Sequence, residues 1–427
     1  MRSQKTDVSV YNRTKRSVVS PPARRRPRRF TAESATCESA TMNEFDFNEP
    51  DLLDEDLRML RTQVRRFVNE VVVPQADAWE QAGEIPRELY RELGRLGWLG
   101  MRHPVEYGGS GLGAMASVVL GEELSRCSYG GVATSILVHS DMSVRHIADR
   151  GTHEQKSRYL PAACAGEKIG AICVTEPHAG SDVAGLKTRA VRDGDGWVIN
   201  GSKTFITNGV YGDIFIVAAR TDPEAKGSRG LSLFIVDKGT PGFKVARKFE
   251  KHGWRASDTA ELFFDEVRVP ADSLLGEEGK GFYYIMSTFQ NERLVAGAMS
   301  TGQCAKAIEL TVDYVKSRQA FGKALWDQQV VRNRIAWLAA KSAAARAFVY
   351  QCAQMIDEGK DTVREVSMLK AYACETLQEV VHGCLQLHGG TGYIVGTPIE
   401  RMARDARILT IGGGATEVML EEVAKRM

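Results

Sequence analysis

Across 427 residues no apolar run approaches the roughly 20 residues that a membrane-spanning helix needs, so the chain is expected to be soluble. Its eight cysteines are scattered, with no Cys-x-x-Cys pair and no His/Cys cluster. That speaks against a disulfide framework and a zinc site, and a reducing compartment fits best. Net charge is lacking too, and a formal value of +2 points to no particular partner. Core material is plentiful: 43% of residues are hydrophobic and 26% charged, enough for two or three domains at roughly 150 residues each.

The near balance of charge conceals an asymmetry. Residues 1–41 hold ten Lys and Arg, including the run Pro21-Pro-Ala-Arg-Arg-Arg-Pro-Arg-Arg29, against Asp7, Glu33 and Glu38. With few apolar residues, 1–43 are expected to be a disordered basic extension, without the apolar core of a secretory signal. An Arg-rich transit peptide, a nucleic-acid-binding arm and sequence upstream of a true start at Met42 all fit. The last is favoured, because Met42 immediately precedes the first organised segment.

From there the chain is expected to be α+β, mainly α. Residues 44–166 read as a helical domain: Leu57, Leu60, Val64, Phe67, Val68, Val71 and Val72 recur at helical spacing and stop before Pro74. A second stripe, Leu89, Leu93 and Leu96, follows Pro86. An exposed-looking loop over His103–Leu112 then leads to helices over about 114–124 and 133–148. Residues 167–280 change to short β-rich runs separated by turns such as Asp193-Gly-Asp-Gly196, which predicts an antiparallel β domain. Residues 281–427 return to helices over 282–318, 328–357, 361–387 and 399–425, enough to close a four-helix bundle.

The chain is organised around Cys173-Val-Thr-Glu-Pro-His-Ala-Gly-Ser-Asp-Val-Ala-Gly185 and Thr204-Phe-Ile-Thr-Asn-Gly209. A strand-like run breaks at Pro177 into small and hydroxylated residues, with glycines where backbone approaches a ligand closely. Alternation sends Phe205 and Thr207 to one face of the second piece and Thr204 and Ile206 to the other. An aromatic beside a hydroxyl suits a planar heterocycle; two ordinary buried strands with turns are the other reading.

In the first bundle helix, Ile285, Thr288, Ala296 and Met299 share the face of Glu292, so its carboxylate emerges among largely apolar neighbours and would be a stronger base for it. A salt bridge with Arg293 is the alternative. The Gly-rich interruption Gln386-Leu-His-Gly-Gly-Thr-Gly-Tyr393 carries His388, more simply read as packed, and Glu400-Arg-Met-Ala-Arg-Asp-Ala-Arg407 reads as an ion-pair network.

Taken in order, Pro104-Val-Glu-Tyr-Gly-Gly, Val174-Thr-Glu-Pro-His-Ala-Gly-Ser-Asp, Ile206-Thr-Asn-Gly, Arg318-Gln-Ala-Phe-Gly-Lys323, the Gln386–Tyr393 stretch and Arg404-Asp-Ala-Arg407 resemble the acyl-CoA dehydrogenase family of FAD flavoproteins. The resemblance runs from about residue 50 to the C-terminus and implies a helical domain, a β domain and a bundle, usually in a homotetramer. It implies that Thr175 touches the flavin ring, Ser181 lies near the pyrophosphate and the substrate, Phe205 packs on the ring and Thr207 sits beside flavin N5. Arg318, Phe321, Gln386 and Gly390 match positions that reach the FAD of a neighbouring subunit, and Arg293 is placed with the substrate.

His178 departs from a usual glycine, Ala415 from a usual threonine, and Gly413 from the catalytic glutamate of many members. The isovaleryl- and long-chain-type branches carry that glutamate instead in a Glu-Arg-Leu context on the first bundle helix, which Glu292-Arg-Leu294 matches. Glu292 would then take the thioester α-proton, with Gly413 giving a backbone N–H to the thioester oxygen and leaving space for a long or branched acyl chain. Electrons would pass to electron-transferring flavoprotein, in the cytoplasm of a bacterium or the mitochondrial matrix of a eukaryote. An acyl-CoA oxidase shares the fold, although the ending Ala424-Lys-Arg-Met427 is no peroxisomal address; so does a DNA-associated flavoprotein, supported only by the basic tail.

Overall fold

The computed structural model describes residues 52–225 and 227–427; the basic extension expected over 1–43 lies outside the described residues. The helical domain begins with α1 (Glu55–Phe67), whose first turn is capped by the Asp54 carboxylate accepting from the Leu57 N–H at 2.9 Å. The stripe does not end before Pro74. A π-helical turn over Val68–Val72 takes up an extra residue, and Pro74 enters the first turn of α2 (Val73–Ala82), where a missing N–H is tolerated.

α3 (Arg87–Arg95) follows Pro86 as expected. The His103–Leu112 loop is less open than the sequence implies: its backbone folds back on itself, burying His103 and Tyr107. α4 (Ala114–Ser125) is buried along its whole length. In place of one helix over 133–148 the chain forms α5 (Gly130–Leu137), a π-helical segment over Val138–Ser143 and α6 (Val144–Arg150). α7 (His153–Cys164) starts at a capping box formed by Thr152 and Gln155.

The β domain contains β1 (Gly170–Cys173), β2 (Arg189–Asp193), β3 (Gly196–Thr207), β4 (Ile214–Arg220), β5 (Leu231–Asp237), β6 (Phe243–Lys248), β7 (Thr259–Pro270) and β8 (Leu274–Leu275). They join in the order β6-β7-β3-β2-β4-β5-β8, with β1 on β4. The sheet is mixed rather than purely antiparallel: β1 runs parallel to β4 throughout, and β2 meets β4 in parallel at Arg189 and Arg220. The β2–β3 hairpin and its flanking loops lie between β1 and β4 in sequence, long enough for the crossover a parallel pair needs. β3 bends at two register shifts, one between Lys203 and Ile206, where the site residues begin.

The bundle is built from α8 (Gly281–Ser317), the small hairpin β9 (Gln319–Ala320) and β10 (Lys323–Ala324), then α9 (Gln329–Asp357) and α10 (Val363–His388). The fourth helix is broken into α11 (Pro398–Ala406) and α12 (Thr416–Ala424). Gly413 and Gly414 lie between them at φ 64° and 100°, which no right-handed helix can hold.

Buried ions tie the two helical domains together. Glu123 of α4 accepts from Arg61 and Arg65 of α1 at 3.1 and 2.7 Å, while Glu122 accepts from Arg346 and Tyr350 of α9, each at 2.7 Å. All seven described cysteines are free and buried, and no described helix is long and apolar enough to cross a membrane.

Candidate active site

The loop after β1 is shaped by a carboxylate. Glu176 is buried and accepts from the N–H groups of Lys187 and Thr188 at 2.7 and 2.9 Å and from the Lys203 ammonium at 2.7 Å. Burial works against its charge, but Lys203 and these donors outweigh it and hold the carboxyl below its ordinary value. Lys203 also donates to the Val174 carbonyl at 3.0 Å, and His178 Nε2 lies 3.2 Å from Glu176. The pinned loop leaves Gly180 and Ser181 exposed, with nothing within 4 Å of where a Gly180 Cβ would be.

The Thr204 N–H donates to the Thr175 carbonyl at 2.9 Å, which ties the loop after β1 to β3 one residue before Phe205. Phe205 is 65% exposed and lies against Phe249 at 5.3 Å between ring centroids. The expected alternation is interrupted: the register shift between Lys203 and Ile206 and the left-handed backbone of Phe205 (φ 60°) break the period of two, and Phe205 is exposed by that bulge between the buried Thr204 and Ile206, with Thr207 half-buried. Asn208 was not singled out by sequence, yet its amide donates to the Ser135 and Gly170 carbonyls at 2.9 and 3.2 Å and so fixes the end of β3 to α5 and β1.

Glu292 lies on α8 among the buried Ile285, Thr288, Ala296 and Met299 and is itself 8% exposed. Its Oε1 is buried without a hydrogen-bond partner among the described residues, and burial pushes the carboxyl up to about 8 against a weaker pull from Arg293. The salt-bridge alternative is not realised: Arg293 turns to α10, with Nη1 donating to Ser367 Oγ at 3.3 Å and Nε buried without a partner among the described residues.

A second group gathers at the far end of the bundle. Arg318 caps α8, Phe321 lies in the β9–β10 turn at φ 55° and 94% exposed, and Gln386 and Gly390 are exposed where α10 ends. His388 is packed, as its setting implied: it stacks on Tyr314 at 4.3 Å, and the Tyr314 hydroxyl donates to the His388 carbonyl at 3.2 Å. Arg318 follows Glu292 by 26 residues on one helix, about 39 Å at roughly 1.5 Å per residue. One chain does not bring these two groups to a single point.

The Glu400–Arg407 stretch works as structural cement. Arg404 pairs with Glu400, Arg401 lies 3.5 Å over the Tyr129 ring, and buried Asp405 accepts from the Gly130 and Trp254 N–H groups at 2.8 and 2.7 Å. It anchors α11 on α5 and leads the chain into the Gly412–Gly414 turn. There Gly413 is exposed, its N–H has no acceptor among the described residues, and a Cβ on it would meet nothing within 4 Å.

Three family models match the chain: Acyl-CoA dehydrogenase, N-terminal domain over residues 54–167, middle domain over 171–267 and C-terminal domain over 279–427. A long-chain specific acyl-CoA dehydrogenase, mitochondrial, of Mus musculus is 42% identical over 370 residues, 86% of each chain. An isovaleryl-CoA dehydrogenase, mitochondrial, of Pongo abelii is 40% identical over 369 residues, 86% of this chain and 87% of that one. Among solved structures, a glutaryl-CoA dehydrogenase from Mycobacterium smegmatis in complex with FADH2 superposes with a TM-score of 0.83 at 31% identity, covering 88% of this chain and 95% of that one.

Proposed function

Because the chain belongs to the acyl-CoA dehydrogenase family of flavoprotein oxidoreductases, we propose that it dehydrogenates a long or branched acyl-CoA to the trans-2-enoyl-CoA with Glu292 as base. The observation that carries this reading is the Glu292 carboxyl itself, buried on an apolar face with one oxygen unpartnered. A weakly acidic α-proton needs such a desolvated, positioned carboxylate to remove it.

The loop and β3 fit FAD: the exposed Phe205 ring offers a bed for the isoalloxazine, Thr175 and Thr207 offer hydroxyls beside it, and Ser181 with the bare backbone at Gly180 suits the pyrophosphate. When bound, FAD supplies the hydride acceptor for the β-carbon. The free Gly413 N–H holds the thioester oxygen as negative charge develops on it. Ser181 completes the substrate contacts, and the open space over Gly413 admits chain bulk; Arg293, expected with the substrate, is instead buried with its guanidinium on Ser367 of α10.

The 26-residue separation of Glu292 from Arg318 supports a site shared between copies, with Arg318, Phe321, Gln386 and Gly390 of one protomer reaching the FAD of its partner in a homotetramer. Electron-transferring flavoprotein would take the electrons on.

The test is anaerobic. Flavin-loaded protein is titrated with straight and branched acyl-CoAs, and bleaching of the visible flavin band is followed. Bleaching by the long or branched members is expected. No bleaching by any acyl-CoA sinks the reaction, and bleaching confined to short straight chains sinks the substrate class.

A further inference from the structure

Lys370 of α10 is 0% exposed, and its ammonium donates to the backbone carbonyl of Gly414. Among the described residues it forms no ion pair. Arg293 adds a second buried cation to the same α8–α10 interface, bonded to Ser367 one turn before Lys370 and lowering the Lys370 ammonium's proton affinity further after burial itself. An apolar side chain would fill this space without the desolvation penalty of a charge. What it could not do is bond to Gly414.

That bond matters because the turn has no side chains of its own to hold it. Gly412, Gly413 and Gly414 carry no side chains, and two of them have left-handed backbone. Gly412 is tied behind by its N–H to the Ile408 carbonyl at 2.8 Å, and α12 begins beyond with the Met419 N–H on the Ala415 carbonyl at 3.0 Å. Between those ties, Lys370 is the side chain that grips the turn, on the residue next to the unbonded Gly413 N–H.

We infer that Lys370 is a positioning residue, which fixes the Gly414 carbonyl and thereby aims the Gly413 N–H at the thioester oxygen of the substrate. The inference rests on the proposed role of Gly413 as that donor. It assigns the buried charge a task in the reaction: without the ammonium the glycine turn samples other orientations, and the N–H is lost to water when the oxygen becomes negative.

The test reads the carbonyl directly. The C=O stretch of a carbonyl-labelled enoyl-CoA bound to the flavin-loaded enzyme is measured by isotope-edited infrared difference, beside kcat and KM, in the wild type, Lys370→Met, Lys370→Gln and Glu292→Gln. In the wild type the stretch should fall below that of the free thioester. Lys370→Met should lose a large part of that fall and about 10- to 100-fold in kcat with little change in KM, since the donor acts chiefly as charge develops. Lys370→Gln, which keeps an N–H donor, should lie between.

Glu292→Gln should lose turnover and keep the downshift, which separates the base from the donor. A full downshift in Lys370→Met overturns the role of Lys370 and leaves Gly413 standing. No downshift in the wild type overturns the donor assignment and this inference with it. Should Lys370→Met fail to hold flavin, Lys370→Gln decides on the same terms, and an unchanged downshift there overturns the inference.

Discussion

Glu292 and Arg293 are consecutive and both buried, yet they form no ion pair: one carboxylate oxygen is left unpartnered among the described residues while the guanidinium bonds across the bundle to Ser367. Successive helical side chains diverge, so neighbours in sequence do not face each other. The acid is thereby left desolvated beside a cation that neutralises it only weakly.

A pH dependence follows. Burial raises the Glu292 carboxyl from 4.5 to about 8, so at neutral pH the free enzyme holds it mostly protonated and unable to accept a proton. kcat/KM should rise with pH through about 8 and then level off; a flat profile between pH 6 and 9 would count against Glu292. Stability runs the other way. A carboxyl raised on folding stabilises the fold below its ordinary value and loses that contribution as pH climbs toward about 8, so Glu292→Gln should flatten this part of the curve of unfolding free energy against pH.

Glu292→Gln should keep FAD and lose about three decades of kcat, within the range removal of a general base commonly costs. Stopped-flow flavin reduction measures it. Near-normal reduction would place the base elsewhere.

Arg318→Ala should weaken FAD retention on the order of ten-fold, the usual scale for one hydrogen bond to a charged group. Flavin release on dilution, followed by fluorescence together with sedimentation, reports the cofactor and the assembly at once. Unchanged retention would argue against a contact across the interface.

Glu122→Ala should destabilise the chain by about 3–5 kcal/mol, because it removes the buried carboxylate that Arg346, Arg61 and the Tyr350 hydroxyl share. Denaturant unfolding measures this. The variant's flavin reduction per folded molecule should be preserved, since Glu122 lies in the network joining α1, α4 and α9.

Much of the site was legible because its residues sit in short, ordered stretches whose local pattern carries meaning. The apolar neighbours of Glu292 appear at helical spacing, whereas the exposure of Phe205 comes from a bulge with left-handed backbone that strand alternation does not announce. The residues that escaped work at long range. Lys203 reads as an exposed strand lysine until Glu176 is folded over it, and Lys370 reads as one more cation in a helix until Gly414 is brought against it. Asn208 and the π-helical turns escaped for the same reason: their partners lie in other elements, and no local period marks them. The parallel β1–β4 pair was missed because strand periodicity does not encode strand direction.

Phe321, Tyr393, Ile394 and Val395 leave a newly made chain with greasy residues in open water at the end of the bundle. Such surface invites aggregation and chaperone capture until something covers it. On the proposed reading, a partner protomer and its cofactor are that cover. The abundance of the protein in a cell would then track riboflavin supply: starved of cofactor, the chain would lose its assembly partner and become a substrate for proteolysis rather than a dormant enzyme.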